Sequence, residues 1–150
     1  MDTKELLDTL VRLIRLEIDL SHCYAEAVGN SGLSAEREML ESFLIDHDSH
    51  IGALAGRIES LGEAAPAAAE GGFFTSGMRA VSRTAAAEEA LEDLLANETL
   101  MLMAYRQEQL PSWQAADEER IDRNASDEDT HMRLLAGLLR SRARAAGRGG

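Results

Sequence analysis

Four stretches of this chain space their apolar residues in alternating steps of four and three, and each carries an ionisable group at the middle of the stripe. The first is Leu6, Leu10, Leu13, Glu17, Leu20, Tyr24 and Ala27; the second is Leu40, Phe43, His47, His50, Leu54, Ile58 and Leu61. The third is Ala87, Leu91, Leu94, Glu98, Met101 and Tyr105; the fourth is Ile121, Asn124, Glu128, His131, Leu135 and Leu139. Such spacing is the inward seam of a packed helix. Glutamate and histidine are residues that a core seldom holds without a reason. The pattern therefore calls for an all-α fold in which four helices converge on one polar centre.

The polar residues also repeat. Glu17, Tyr24, His47 and His50 recur 81 positions later as Glu98, Tyr105, Glu128 and His131, and only the pair His47 and Glu128 changes type. Two helical hairpins related by a pseudo-two-fold follow from that offset. Glu128 and His131 lie three apart and so share one helix face.

The expected helices run from about Thr3 to Val28, Ser34 to Leu61, a start between Gly77 and Thr84 to Leu110, and near Ser112 to about Arg142. Asp2 and Glu5 suggest a capping box for the first, and Ser34 an N-cap for the second. Gly62 and Pro111 are expected terminators. The bundle is expected to fill residues 1–145, with 146–150 a disordered tail. The linker from Glu63 to about Ser82 is long enough to run from end to end of the bundle. A helix of about 27 residues spans roughly 40 Å, which about 14 to 20 extended residues cover. A short-loop up-down bundle would not need so long a link. Phe73 and Phe74 would pin it to the helices or to a partner subunit.

Composition narrows the function. The net charge of −12 argues against general nucleic-acid binding. No run approaches the ~20 apolar residues of a membrane span, and MDTKELLDTL does not read as a secretory signal, so a cytoplasmic location is expected. The single cysteine, Cys23, leaves no Cys-based metal site. The only lysine, Lys4, and the arginines Arg12, Arg15 and Arg123 fall off the seams. Burying Glu17, Glu98 and Glu128 costs several kcal/mol without a counter-charge, and a divalent cation or a pair of cations would supply it. Mixed carboxylate and imidazole donors suit iron, manganese or zinc better than calcium. Met101 and Met132 read as core, His22 as surface, and the arginine-rich tail as a solvated end.

These residues resemble the ferritin-like di-iron carboxylate proteins, of the rubrerythrin and bacterioferritin type, over about Thr3 to Arg142. In that family the first and third helices each give a Glu, and the second and fourth each give Glu-x-x-His. Glu17, Glu98, Glu128 and His131 match, as does His50. The resemblance implies an antiparallel four-helix bundle with a long crossover between helices 2 and 3. It also implies a non-haem centre, di-iron foremost, that oxidises Fe(II) or reduces O2 or peroxide. Tyr24 and Tyr105 would orient carboxylates, and Asp46 would support His50. His47 departs from the family, standing where a Glu normally bridges the two metals; a single metal, zinc or manganese then becomes credible. The chain has no Cys-x-x-Cys electron-delivery module and no cage-forming fifth helix, so a dimer is expected rather than a storage cage. The competing reading is a non-catalytic binding or scaffold bundle with a zinc-filled or empty site.

Overall fold

The computed structural model describes residues 3–67, 77–107 and 114–148. Among them are four α-helices and no strand: α1 Thr3–Val28, α2 Arg37–Ser60, α3 Ala87–Gln107 and α4 Ala115–Arg148. The seam residues explain why these helices pack. All are buried except Leu61, Ala87 and Leu139, which are half-buried. Each fully buried leucine contributes about 1.5–3 kcal/mol relative to an exposed one, so a stripe of them fixes which face turns inward.

Contacts between helices run in opposite order along each packed pair. Between α1 and α2, Arg37 Nε donates to the Val28 carbonyl at 3.2 Å, and Ser21 Oγ donates to Asp48 at 2.6 Å. Between α2 and α4, Asp46 meets His131, His50 meets Asp127 and Arg57 meets Asp117. Between α1 and α3, Tyr24 meets Glu98 while Glu17 meets Tyr105.

The helix ends differ from expectation in three places. The turn after α1 is a 3-10 helix, Ser31–Glu36, capped by Asn30, whose Oδ1 accepts from the Gly32 amide at 2.9 Å, and α2 begins at Arg37 with Glu36, not Ser34, at its N-cap position. Asn30 also donates from Nδ2 to the carbonyl of Ala85 at 2.9 Å, so one buried side chain both caps the turn and ties it to the segment before α3. The third helix starts at Ala87, because residues 77–86 instead run as a strap across α1 and α3. There the Arg79 amide donates to Asn97 Oδ1 and its carbonyl accepts from Asn97 Nδ2, at 2.8 and 2.9 Å. The fourth helix continues to Arg148, so residues 146–148 are helical where a disordered tail was expected. Ala and Arg are strong helix formers, and Arg142 anchors this end by donating to Glu36 at 2.7 Å and to the Gly32 carbonyl at 3.1 Å.

Gly62 ends α2 with φ +88°, a conformation that other residues adopt only with strain. Asp2, Phe73, Phe74, Leu110, Pro111 and Ser112 lie outside the described residues.

Candidate metal centre

All six candidate ligands meet in the middle of the molecule, each almost wholly buried: Glu17, His47, Glu98 and Glu128 at 0% exposure, His131 at 1% and His50 at 4%. They form two groups of four, Glu17–His47–His50–Glu128 and His47–Glu98–Glu128–His131. Within each group, the ligand atoms lie within 4.8 Å of one another. The cluster can chelate a metal ion.

The hydrogen bonds repeat across the pseudo-two-fold. His50 Nδ1 lies 3.1 Å from Glu17 Oε1, and His131 Nδ1 lies 3.1 Å from Glu98 Oε1. Tyr105 donates to Glu17 at 2.7 Å, and Tyr24 donates to Glu98 at 2.5 Å. Each tyrosine therefore serves the glutamate of the other half, not the one seven residues before it. Asn124 donates in turn to the Tyr105 hydroxyl at 3.3 Å.

Asp46 does not support His50. It accepts from His131 Nε2 on α4 at 2.8 Å, and His50 Nε2 donates instead to Asp127 at 2.8 Å. Helical spacing within α2 put Asp46 near His50, but α4 lies alongside and supplies the nearer carboxylate. Asp127 is the residue that the sequence reading missed. It stands 81 positions after Asp46, so the offset that relates the candidate ligands also marks this pair. With Nε2 donating outward, both rings turn Nδ1 toward the centre, the orientation that carboxylates impose on ligand histidines.

His47 answers the question of counter-charge. Its Nδ1 lies 2.7 Å from Glu17 Oε2 and its Nε2 lies 2.8 Å from Glu98 Oε1. Ionised carboxylates only accept, so both ring nitrogens donate and the ring is an imidazolium. Burial pushes its pKa down, but the charges and hydrogen bonds of Glu17 and Glu98 outweigh that and hold it at about 10. Burial likewise raises the Glu17 carboxyl, yet His47 and His50 bring it down to about 2. Glu98 is also held low, its burial overcome by His47 and by hydrogen bonds from its neighbours. Glu128 goes the other way: burial, then the charges of Glu17 and Glu98, push it well above the usual range. Sequence reasoning looked for Lys or Arg and passed over an imidazole already in the seam.

Hydrogen bonding at the centre is incomplete: Glu98 Oε2 and both oxygens of Glu128 are buried and make no well-formed hydrogen bond, although Glu128 Oε1 lies 3.0 Å from His50 Nδ1. Buried oxygens so placed are costly, and a bound cation would use all three. The donor set is three carboxylates and three imidazoles.

The remaining residues behave as core or surface. Met101 is buried in the apolar core, and Cys23 is buried with its thiol pushed up to about 12, chiefly by burial. Phe43 stacks on the His131 ring at 4.2 Å between centroids.

No known protein-family model matches the chain. No curated protein matches it either. Among the described residues, no helix is long and apolar enough to cross a membrane.

Proposed function

We propose that this chain is a ferritin-like metalloprotein whose buried centre binds two metal ions, iron foremost, and oxidises Fe(II) with oxygen or peroxide. The observation that carries the reading is the pair of overlapping four-donor groups, with three buried carboxylate oxygens that make no well-formed hydrogen bond. The opposite order of contacts along every packed helix pair supports an antiparallel four-helix bundle, with the linker after α2 as its long crossover. Iron bound at such a centre supplies one-electron chemistry toward oxygen or peroxide.

The residues of the chain then take definite parts. Glu17 and His50 would hold one ion and Glu98 and His131 the other, with Glu128 and His47 between the two groups. Tyr24 and Tyr105 fix the carboxylates of Glu98 and Glu17 by hydrogen bonding. Asp46 and Asp127 fix the tautomers of His131 and His50 by accepting from Nε2. Changing either Asp to Asn removes that charged acceptor and is expected to weaken metal affinity about 10–100-fold, as measured by competition with a chromophoric chelator. The pseudo-symmetry predicts similar losses for the two variants; an unchanged affinity in both would remove the aspartates from the site.

The test of activity is anaerobic loading with Fe(II), followed by oxygen or peroxide. Oxidation faster than that of free iron is expected; a rate equal to free iron would defeat the redox reading. Metal content is a separate question. Untagged protein is expected to carry stoichiometric metal that Glu98→Ala reduces to a trace, and equal trace metal in both would defeat the metal reading itself. Dimeric assembly belongs to the same proposal and is read by sedimentation velocity.

A second reading has one observation in its favour. His47 already places a positive charge between Glu17 and Glu98, as a bundle that works without metal would require. On that reading the chain is a non-catalytic scaffold, empty or zinc-filled. Elemental analysis separates the two: iron favours the first, while zinc or no metal favours the second.

A further inference from the structure

Resting on the metal-centre reading above, we infer that His47 bridges two metal ions, one on each ring nitrogen. The two four-donor groups share only His47 and Glu128. His47 meets them with different atoms. Its Nδ1 is 2.7 Å from Glu17 Oε2 and 3.4 Å from Glu128 Oε1, on the side of His50. Its Nε2 is 2.8 Å from Glu98 Oε1, the oxygen that also lies 3.1 Å from His131 Nδ1.

Glu128 lies nearer one of the two sides: its Oε1 is 3.0 Å from His50 Nδ1, whereas its Oε2 is 3.8 Å from His131 Nδ1. Each ion thus receives one glutamate, one terminal histidine and one nitrogen of His47, and Glu128 adds a fourth donor to the ion beside His50. Four such donors, or three with one open position, are an adequate set for zinc and most divalent transition metals. The bridging ring is held in place, since it stacks on Tyr24 with centroids 5.0 Å apart and planes at 23°.

The bridge changes the centre chemically. A carboxylate joins two ions through oxygens on one carbon and sets them about 3.5–4 Å apart. An imidazole presents its nitrogens on opposite sides of a rigid ring. With metal–nitrogen bonds of about 2.0 Å at each end, the ions stand about 6 Å apart. As each ion binds, one N–H proton of His47 passes to solvent and that nitrogen's lone pair turns to the metal. Two ions release two protons, and the ring ends as an imidazolate between two dications. No electron is transferred in loading.

The experiment uses the full chain with two equivalents of Zn(II). Anomalous diffraction at the zinc edge is expected to show two peaks about 6 Å apart on either side of His47. In solution, 15N-histidine NMR is expected to show both ring N–H protons of His47 lost on loading. In a His47→Glu variant the peaks are expected to close to about 3.5–4 Å. Wild-type peaks already at that distance, a single peak, or a His47 ring that keeps an N–H would overturn the bridge. Should His47→Glu fail to fold, the wild-type diffraction and NMR results decide alone. Zinc bound without the bridge defeats only this inference, whereas no zinc bound at all defeats the metal centre and the bridge together.

Discussion

Replacing His47 with leucine is expected to cost the metal-free protein about 3–5 kcal/mol, read as a lower urea midpoint in the presence of chelator. Leucine is close enough in volume to leave little cavity, so the loss isolates charge. Glu17 and Glu98 would remain buried at 0% exposure with the imidazolium between them gone. Breaking a buried pair by removing one partner is far costlier than replacing both, because the remaining charge is stranded. Divalent zinc is expected to recover much of the loss by supplying positive charge at the same place. A His47→Leu chain as stable as the wild type in chelator would show that the ring is not the counter-charge.

The second large effect is on pH. His47 is held at about 10 in the fold against an ordinary 6.5. Its stabilisation is therefore complete below about pH 6.5 and drains away as pH rises through 10. Glu17 is held at about 2 against 4.5, so its contribution is complete above about pH 4.5 and is lost as pH falls through 2. Glu98 has the same sign as Glu17. Glu128 is raised, so keeping it buried becomes costlier as pH climbs above 4.5. Together these place the stability maximum of the metal-free protein between about pH 4.5 and 6.5. Metal must displace protons from His47 and Glu128, so affinity is expected to rise with pH and saturating zinc to shift the maximum upward. Thermal melts across pH, with chelator and with zinc, check both parts. Metal-free stability that climbs steadily from about pH 5 to 9 would contradict the assignment.

The seams were legible because helical periodicity is local: every stripe residue named from spacing is buried or half-buried. The six buried glutamates and histidines of the centre were legible for the same reason, as polar residues inside apolar stripes with a repeat to match. What spacing within one helix cannot see is the neighbour across the groove. It therefore paired Asp46 with His50 and gave no hint that Tyr24 would reach Glu98 on α3. Asp127 was within reach of the offset that relates the candidate ligands, but it lies beside the seam rather than on it. The length of α4 was missed because its last turns carry no apolar stripe; their hold comes from propensity and from Arg142 on Glu36.

The crossed tyrosines have a consequence for how the molecule assembles. Glu17 on α1 is satisfied by Tyr105 on α3, and Glu98 on α3 by Tyr24 on α1. Each hairpin thus carries a glutamate that its own tyrosine does not reach. Cut between the repeats, either fragment would expose its half of the polar centre and lose the partner that makes its burial tolerable. The duplicated halves are consequently not modules: the centre is the joint between them, and it closes only when both have arrived.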